Sequence, residues 1–431
     1  MKKTVITSTI YLILISVLAK VLSFIVRILL ARSLNSDAMN LYSLAAPTMV
    51  FVITLVQMGI PSALSKVLAQ STQRSGPLKS SIWICVINNI IVSLLFLCLI
   101  PTLATVILKQ QAIRPVLYAI LPLLPMVSVS GILKGYLYGM QYHLSATGCQ
   151  IFEEVARIAF LCIVVSICPP LDAAHMAQMA MFSVTIGELC SALFMIIVVL
   201  VKKKRSYPMS ALFRNLQRPY FQEILSLSLP MTGSRLIGSL TYFLEPIIMV
   251  IGLQVIERSA MVNAYGQLNG YVLPILTMPS FITVTLSNFL LPAFTYHFTR
   301  GNHEAAGKLC NVIIGCCLLI GLACSFVCYH YAETLMQLFY HTSNGASLLK
   351  TLAWPFAFYA LQPPLASMLH ALSRSHRTMV DTLSGSLVRL GCVAVLTPLW
   401  QGNALAIGLT LGMIITTLFH GLNVIFALQK N

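Results

Sequence analysis

Long apolar runs recur along the chain, separated by short polar gaps. Cutting at those gaps gives twelve runs, over 5–31, 42–69, 82–108, 116–139, 147–168, 175–201, 221–250, 264–298, 306–328, 347–372, 379–399 and 403–428. A helix needs about 20 mainly apolar residues to cross the hydrocarbon core, so each run predicts one span. The fourth, eighth and tenth contain prolines: Pro122 and Pro125; Pro274, Pro279 and Pro292; Pro355, Pro363 and Pro364. Proline kinks a helix, and a membrane bundle can re-satisfy the carbonyls it frees. The first run follows Lys2 and Lys3, as in a signal peptide. It exceeds the roughly 7–15 apolar residues of a signal peptide, so it reads as the first span.

The longest polar gap is 202–219, KKKRSYPMSALFRNLQRP, with six runs on either side. This predicts an N-terminal six-helix lobe over 1–201, a basic cytoplasmic connector over 202–219 and a C-terminal six-helix lobe over 220–431. The halves echo each other. The second span opens with Asn40 and Tyr42 and reaches Leu64 and Ser65; the eighth opens with Asn263 and Tyr265 and reaches Leu286 and Ser287. The fifth and eleventh each hold one arginine, Arg157 and Arg389. Six spans return the chain to its starting side, so the repeat is of parallel type.

Composition narrows the class. The chain has 431 residues, 58% hydrophobic and only 9% charged, against about 25% charged in soluble domains. That excludes a soluble enzyme, a disordered chain and a disulfide-stapled secreted domain. The net charge of +16 raises nucleic acid as a partner, but such binders cluster their charge on one solvated face. Here the cations punctuate apolar runs, which implies a lipid bilayer and no nucleic acid. With the N-terminus in the cytoplasm, fifteen cations fall in cytoplasmic segments; five (Arg32, Lys109, Arg114, Arg258 and Lys350) fall outside. This positive-inside bias predicts cytoplasmic N- and C-termini. The twelve cysteines sit mostly within apolar runs, with no CxxC pair or zinc-type spacing, so we expect packing residues and no metal site. No nucleotide loop, nucleophile elbow or HExxH motif occurs, so we expect neither catalysis nor a cofactor.

The informative residues are charges inside the spans, where each costs about 2.5–3.5 kcal/mol on insertion scales. Seven are cations: Lys20, Arg27, Lys66, Lys134, Arg157, Arg235 and Arg389. Five are acids: Glu153, Glu154, Glu188, Glu245 and Asp381. In the first span Thr9, Ser16, Lys20, Ser23 and Arg27 share one helical face, with two cations and no acid. In the fifth, Gln150, Glu153, Glu154 and Arg157 share a face, and Glu153 to Arg157 has the favourable i,i+4 order. In the seventh, Arg235, Ser239 and Tyr242 form a stripe, with Glu245 about a turn further as counter-ion or protonatable group. Asp381 reads as a structural group near the cytoplasmic interface. A cation or drug antiporter needs an acid where this chain places Lys20. Positive charge there favours an anionic phosphate or pyrophosphate ligand, which makes Lys20, Arg27 and Arg235 the candidate substrate-binding residues. Glu153, Glu154, Arg157 and Glu245 are the candidates for coupling or counter-ion roles, with H+ or Na+ as the ion.

Residues 19–70, AKVLSFIVRILLARSLNSDAMNLYSLAAPTMVFVITLVQMGIPSALSKVLAQ, resemble the start of the stage V sporulation protein B family. That family is a bacterial branch of the multidrug/oligosaccharidyl-lipid/polysaccharide exporter superfamily. Stretches 135–158 and 265–294, and the tenth-to-eleventh span region ending at Arg389, are similar to it as well. The resemblance implies two six-helix lobes around a central cavity, alternating access, a bacterial plasma-membrane location and export of a polyprenyl-pyrophosphate-linked sugar. The cargo could be a cell-wall, spore-envelope or polysaccharide precursor, lipid II among them. By position, Lys20 matches a cavity-facing basic residue of lipid II flippases. Glu153, Glu154 and Arg157 match a recurrent acidic and basic patch of the sporulation branch. Lipid II flippases of the family carry two further C-terminal helices that build a groove for the lipid tail. This chain ends after its twelfth span, so the expectation is a general lipid-linked glycan or spore-envelope precursor, with lipid II as one candidate. The competing readings are a cation-coupled multidrug antiporter of the same superfamily and a non-transporting membrane scaffold.

Overall fold

The computed structural model describes residues 2–70, 75–167, 172–202, 218–251 and 255–429. Most of the basic connector, 203–217, lies outside the described residues, as do Arg74 and Lys430. Regular structure among the described residues is entirely helical. Each of the twelve apolar runs is helical. The first four are α1 (Lys2–Ser33), α2 with α3 (Ser36–Gln57, Ile60–Gln70), α4 (Ser75–Thr102, extended by a π-helical turn) and α5 with α6 (Arg114–Tyr118, Leu123–Gly139). Then come α7 (His143–Ile167), α8 (Ala173–Lys202) and α9 (Arg218–Val250). The eighth run comprises α10 (Val255–Gly266), a π-helical segment, α11 (Leu273–Thr277) and α12 (Ser280–Thr299). After α13 (His303–His330) and the short α14 (Ala332–Tyr340) come α15 with α16 (Ala346–Tyr359, Gln362–Ala371), α17 (Ser375–Trp400) and α18 (Gly402–Gln429).

Among the described residues, eight helical stretches are long and apolar enough to span a membrane, and a ninth is the pair 257–277 and 280–298, bent by 51°. The long helices α7 and α9 fall short because they carry the intramembrane charges, and the α15–α16 stretch because it is broken at residues 360–361. The architecture is an all-α polytopic membrane fold. The runs that echo each other in sequence are also broken alike. The second and eighth are interrupted, at Met58-Gly59 and at Met278-Pro279, as are the fourth and tenth.

The chain forms two compact units, Met1–Phe243 and Leu244–Asn431. The boundary falls inside α9, so residues 218–243, which the sequence assigns to the second lobe, pack with the first unit. Gly59 shows why. Its φ of +61° suits only glycine, and a Cβ there would sit 2.9 Å from the Ser228 carbonyl oxygen. The hinge of the second span is therefore pressed against α9. Upstream, Asn35 caps α2 by accepting from the Ala38 amide at 2.8 Å.

In the second unit, α17 and α18 approach through small residues. A Cβ on Gly385 would fall 2.6 Å from the Gly412 carbonyl oxygen, and one on Gly412 would fall 2.8 Å from that of Gly385. Without a hydrophobic drive between helices in lipid, such backbone-close packing supplies the association. Gly385→Val should therefore push the helices apart and destabilise the unit by about 1–3 kcal/mol or more. Thermal unfolding in detergent is the measurement. An unchanged midpoint would show that the seam is not tight.

Candidate functional site

In the first unit, α1 presents three faces. Ala19, Val26 and Leu30 are buried, and α1 packs on α7. Leu14, Leu18, Val21 and Ile25 are exposed apolar residues at i, i+4, i+7 and i+11, the pattern of a lipid-facing stripe. Ser16, Lys20, Ser23 and Arg27 form a stripe distinct from it, flanking the packed face. Lys20 is exposed and Arg27 half-buried. The side chain of Thr9, placed on the same stripe by sequence, lies outside the described residues. Arg235, on α9, is exposed, and its Nη2 donates to Ser62 Oγ at 3.3 Å. By residue range Lys20, Arg27 and Arg235 all belong to the first unit.

The acidic residues are tied to cations, and not always to the ones their spacing suggests. Arg157 donates to Glu154, three residues away, at 3.2 Å. Glu153 lies instead 3.7 Å from Lys134 Nζ on α6. The same ammonium is 3.8 Å from Glu188 on α8, and Ser130 donates to Glu188 at 2.5 Å. Gly187 permits this: a Cβ there would meet the Arg157 side chain at 2.7 Å. Three helices thus converge on three carboxylates and two cations. Lys134 and Glu188 are members that spacing along one helix could not reveal, because their partners sit on other helices. The only signal in the sequence is that each is a lone charge in an apolar run. Lys134→Met would leave Glu153 and Glu188 facing each other without a counter-charge. It should destabilise the unit by up to the ~3–5 kcal/mol of a broken buried pair. Adding Glu188→Gln should recover part of that loss in thermal unfolding.

In the second unit, Glu245 is fully buried and accepts two hydrogen bonds from Arg389, from Nε at 2.7 Å and Nη2 at 2.6 Å. Its counter-ion is therefore Arg389 rather than Arg235. Arg389 lines an open cavity of about 450 Å³, whose wall includes Tyr359, Gln362, Thr382, Thr416 and His420. Asp381 is buried within the unit, 2% exposed, and is held between His420 and Asn423. No group of three or more metal-ligating side chains occurs among the described residues, and the eleven described cysteines are free thiols.

Residues 5–298 match the family described as polysaccharide biosynthesis protein. Stage V sporulation protein B of Bacillus subtilis (strain 168) is 31% identical over 436 residues, covering 98% of this chain and 84% of its own. Among solved structures, lipid II flippase MurJ in an inward closed conformation superimposes with a TM-score of 0.74 at 11% identity, over 98% of this chain and 89% of its own. An inward-facing multidrug resistance MATE family transporter of the MOP superfamily gives 0.72 at 15% identity, over 96% of both chains.

Proposed function

Since the chain belongs to the polysaccharide biosynthesis protein family, we propose that it flips an anionic polyprenyl-pyrophosphate-linked sugar to the outer leaflet by alternating access. The observation that carries this reading is how charge is committed. Glu153, Glu154, Glu188 and Glu245 each lie beside Lys134, Arg157 or Arg389, with Lys134 shared by two of them. Lys20, on the polar stripe of α1, pairs with no described acid. The protein thus offers an uncommitted positive charge on α1, where an incoming ligand would meet no acid of that helix. A sugar-pyrophosphate head cannot cross lipid unaided, and a polar cationic path lowers that cost while the tail stays in lipid.

In this reading Lys20, Arg27 and Arg235 bind the head group. Glu154 and Glu245 are counter-ions that allow Arg157 and Arg389 to sit within the membrane. Glu153 shares Lys134 with Glu188 in a cluster with one carboxylate in excess, where H+ or Na+ could bind. The protein would sit in the bacterial plasma membrane with both termini in the cytoplasm. The drug-antiporter alternative needs an acid facing the ligand on the first span, and α1 carries none. The test is reconstitution in liposomes, with a labelled undecaprenyl-pyrophosphate-linked sugar run against a labelled cationic drug. We expect movement of the glycan alone. Movement of the drug alone would support the antiporter, and movement of neither the scaffold.

A further inference from the structure

The flippase reading makes no use of a deeply buried polar pair in the second unit. The side chains of Asp381 on α17 and His420 on α18 are each 3% exposed. His420 Nδ1 lies 2.8 Å from one Asp381 carboxylate oxygen, and Asn423 donates to the other at 2.8 Å. No described lysine or arginine pairs with Asp381. A buried carboxylate without a counter-charge is strongly disfavoured. The pair is neutral only when it holds one proton, as imidazolium with carboxylate or as imidazole with carboxylic acid. Losing that proton leaves a net negative charge in the seam between α17 and α18, with Asp381 about one turn from Gly385 and its approach to Gly412.

His420 also lines the cavity of about 450 Å³, and its Nε2 makes no hydrogen bond to a described residue. Thr378, whose buried hydroxyl has no partner among the described residues, lines the same cavity. Together with Thr382, Thr416 and Gln362 this makes a wall polar and roomy enough for water. The neighbouring elements bring other titratable groups, none paired with Asp381. They are Tyr359 and the Glu333-bound Lys350 on α15, His370 on α16 (bonded to Ser375), and Glu257 and Arg258 on α10. On α17 itself are His376, Arg377 and the Glu245-bound Arg389, with Arg374 just before its start.

We propose that Asp381 and His420 form a proton-binding site, loaded through this cavity, whose protonation is coupled to the transport cycle. The coupling rests on the flippase reading; the site itself does not. The proton enters by way of Nε2 and water, and its departure charges the α17–α18 seam and favours hydration there.

The full chain in lipid is examined without cargo by infrared difference spectroscopy between about pH 5 and 8, where histidine titrates. We expect carboxyl or imidazole bands that Asp381→Asn and His420→Gln both remove and that Asp381→Glu retains. In liposomes, flux of the labelled lipid-linked sugar should change by up to about tenfold per pH unit within that range, as one proton demands. Asp381→Asn should flatten the profile and Asp381→Glu should preserve a slope, while His376→Gln, at an exposed histidine of the same helix, leaves the slope in place. Unchanged bands in both Asp381→Asn and His420→Gln would overturn the site. A profile flattened by Glu153→Gln but not by Asp381→Asn would overturn the coupling. A wild type that moves no glycan, yet loses its bands on Asp381→Asn, would sink the flippase reading and keep the proton site.

Discussion

Arg389→Met is expected to be among the most destabilising single substitutions in the second unit, at about 3–5 kcal/mol. It would leave Glu245, fully buried, with no counter-charge and two unmet hydrogen bonds. The reverse change, Glu245→Gln, should cost less. The Arg389 side chain is 19% exposed and lines the open cavity, so its freed charge can reach water. Combining Glu245→Gln with Arg389→Met should recover much of the stability, because the double variant buries no net charge. A double-mutant cycle in thermal unfolding would measure this coupling. If Glu245→Gln proves the more harmful single change, the cavity does not hydrate Arg389, and our account of the asymmetry fails.

The second large effect concerns transport. If Lys20 binds a pyrophosphate, its contribution is positive charge. Lys20→Arg should then keep much of the activity, Lys20→Gln should lose most of it, and Lys20→Glu should do worse by opposing an anionic head group. A charge-assisted hydrogen bond is worth about 1.5–3 kcal/mol, so the loss in Lys20→Gln should be roughly ten- to a hundredfold. The readout is initial flux of labelled lipid-linked sugar at matched protein density. Lys20 is exposed and pairs with no described acid, so these variants should unfold at the wild-type temperature. A Lys20→Gln variant with full flux would reduce Lys20 to a headgroup anchor, and the argument from charge to an anionic cargo would go with it.

Several features were legible in the chain itself. Each apolar run is helical among the described residues, because the length and hydropathy that a span needs are local properties of the sequence. The stripe of Ser16, Lys20, Ser23 and Arg27 was equally legible, because residues three and four apart share a helix face whatever the helix packs against. Which charge meets which was not. Spacing along α7 suggested Glu153 with Arg157, whereas the fold gives Arg157 to Glu154 and Glu153 to Lys134. Glu245 lies ten residues from Arg235 and pairs with Arg389, 144 residues away. Nothing in the spacing around Asp381 announced His420 and Asn423, which α18 brings onto it. The physical reason is the same in each case. Inside a membrane a charge must find a partner, and that partner is set by which helices small residues such as Gly187, Gly385 and Gly412 allow to touch.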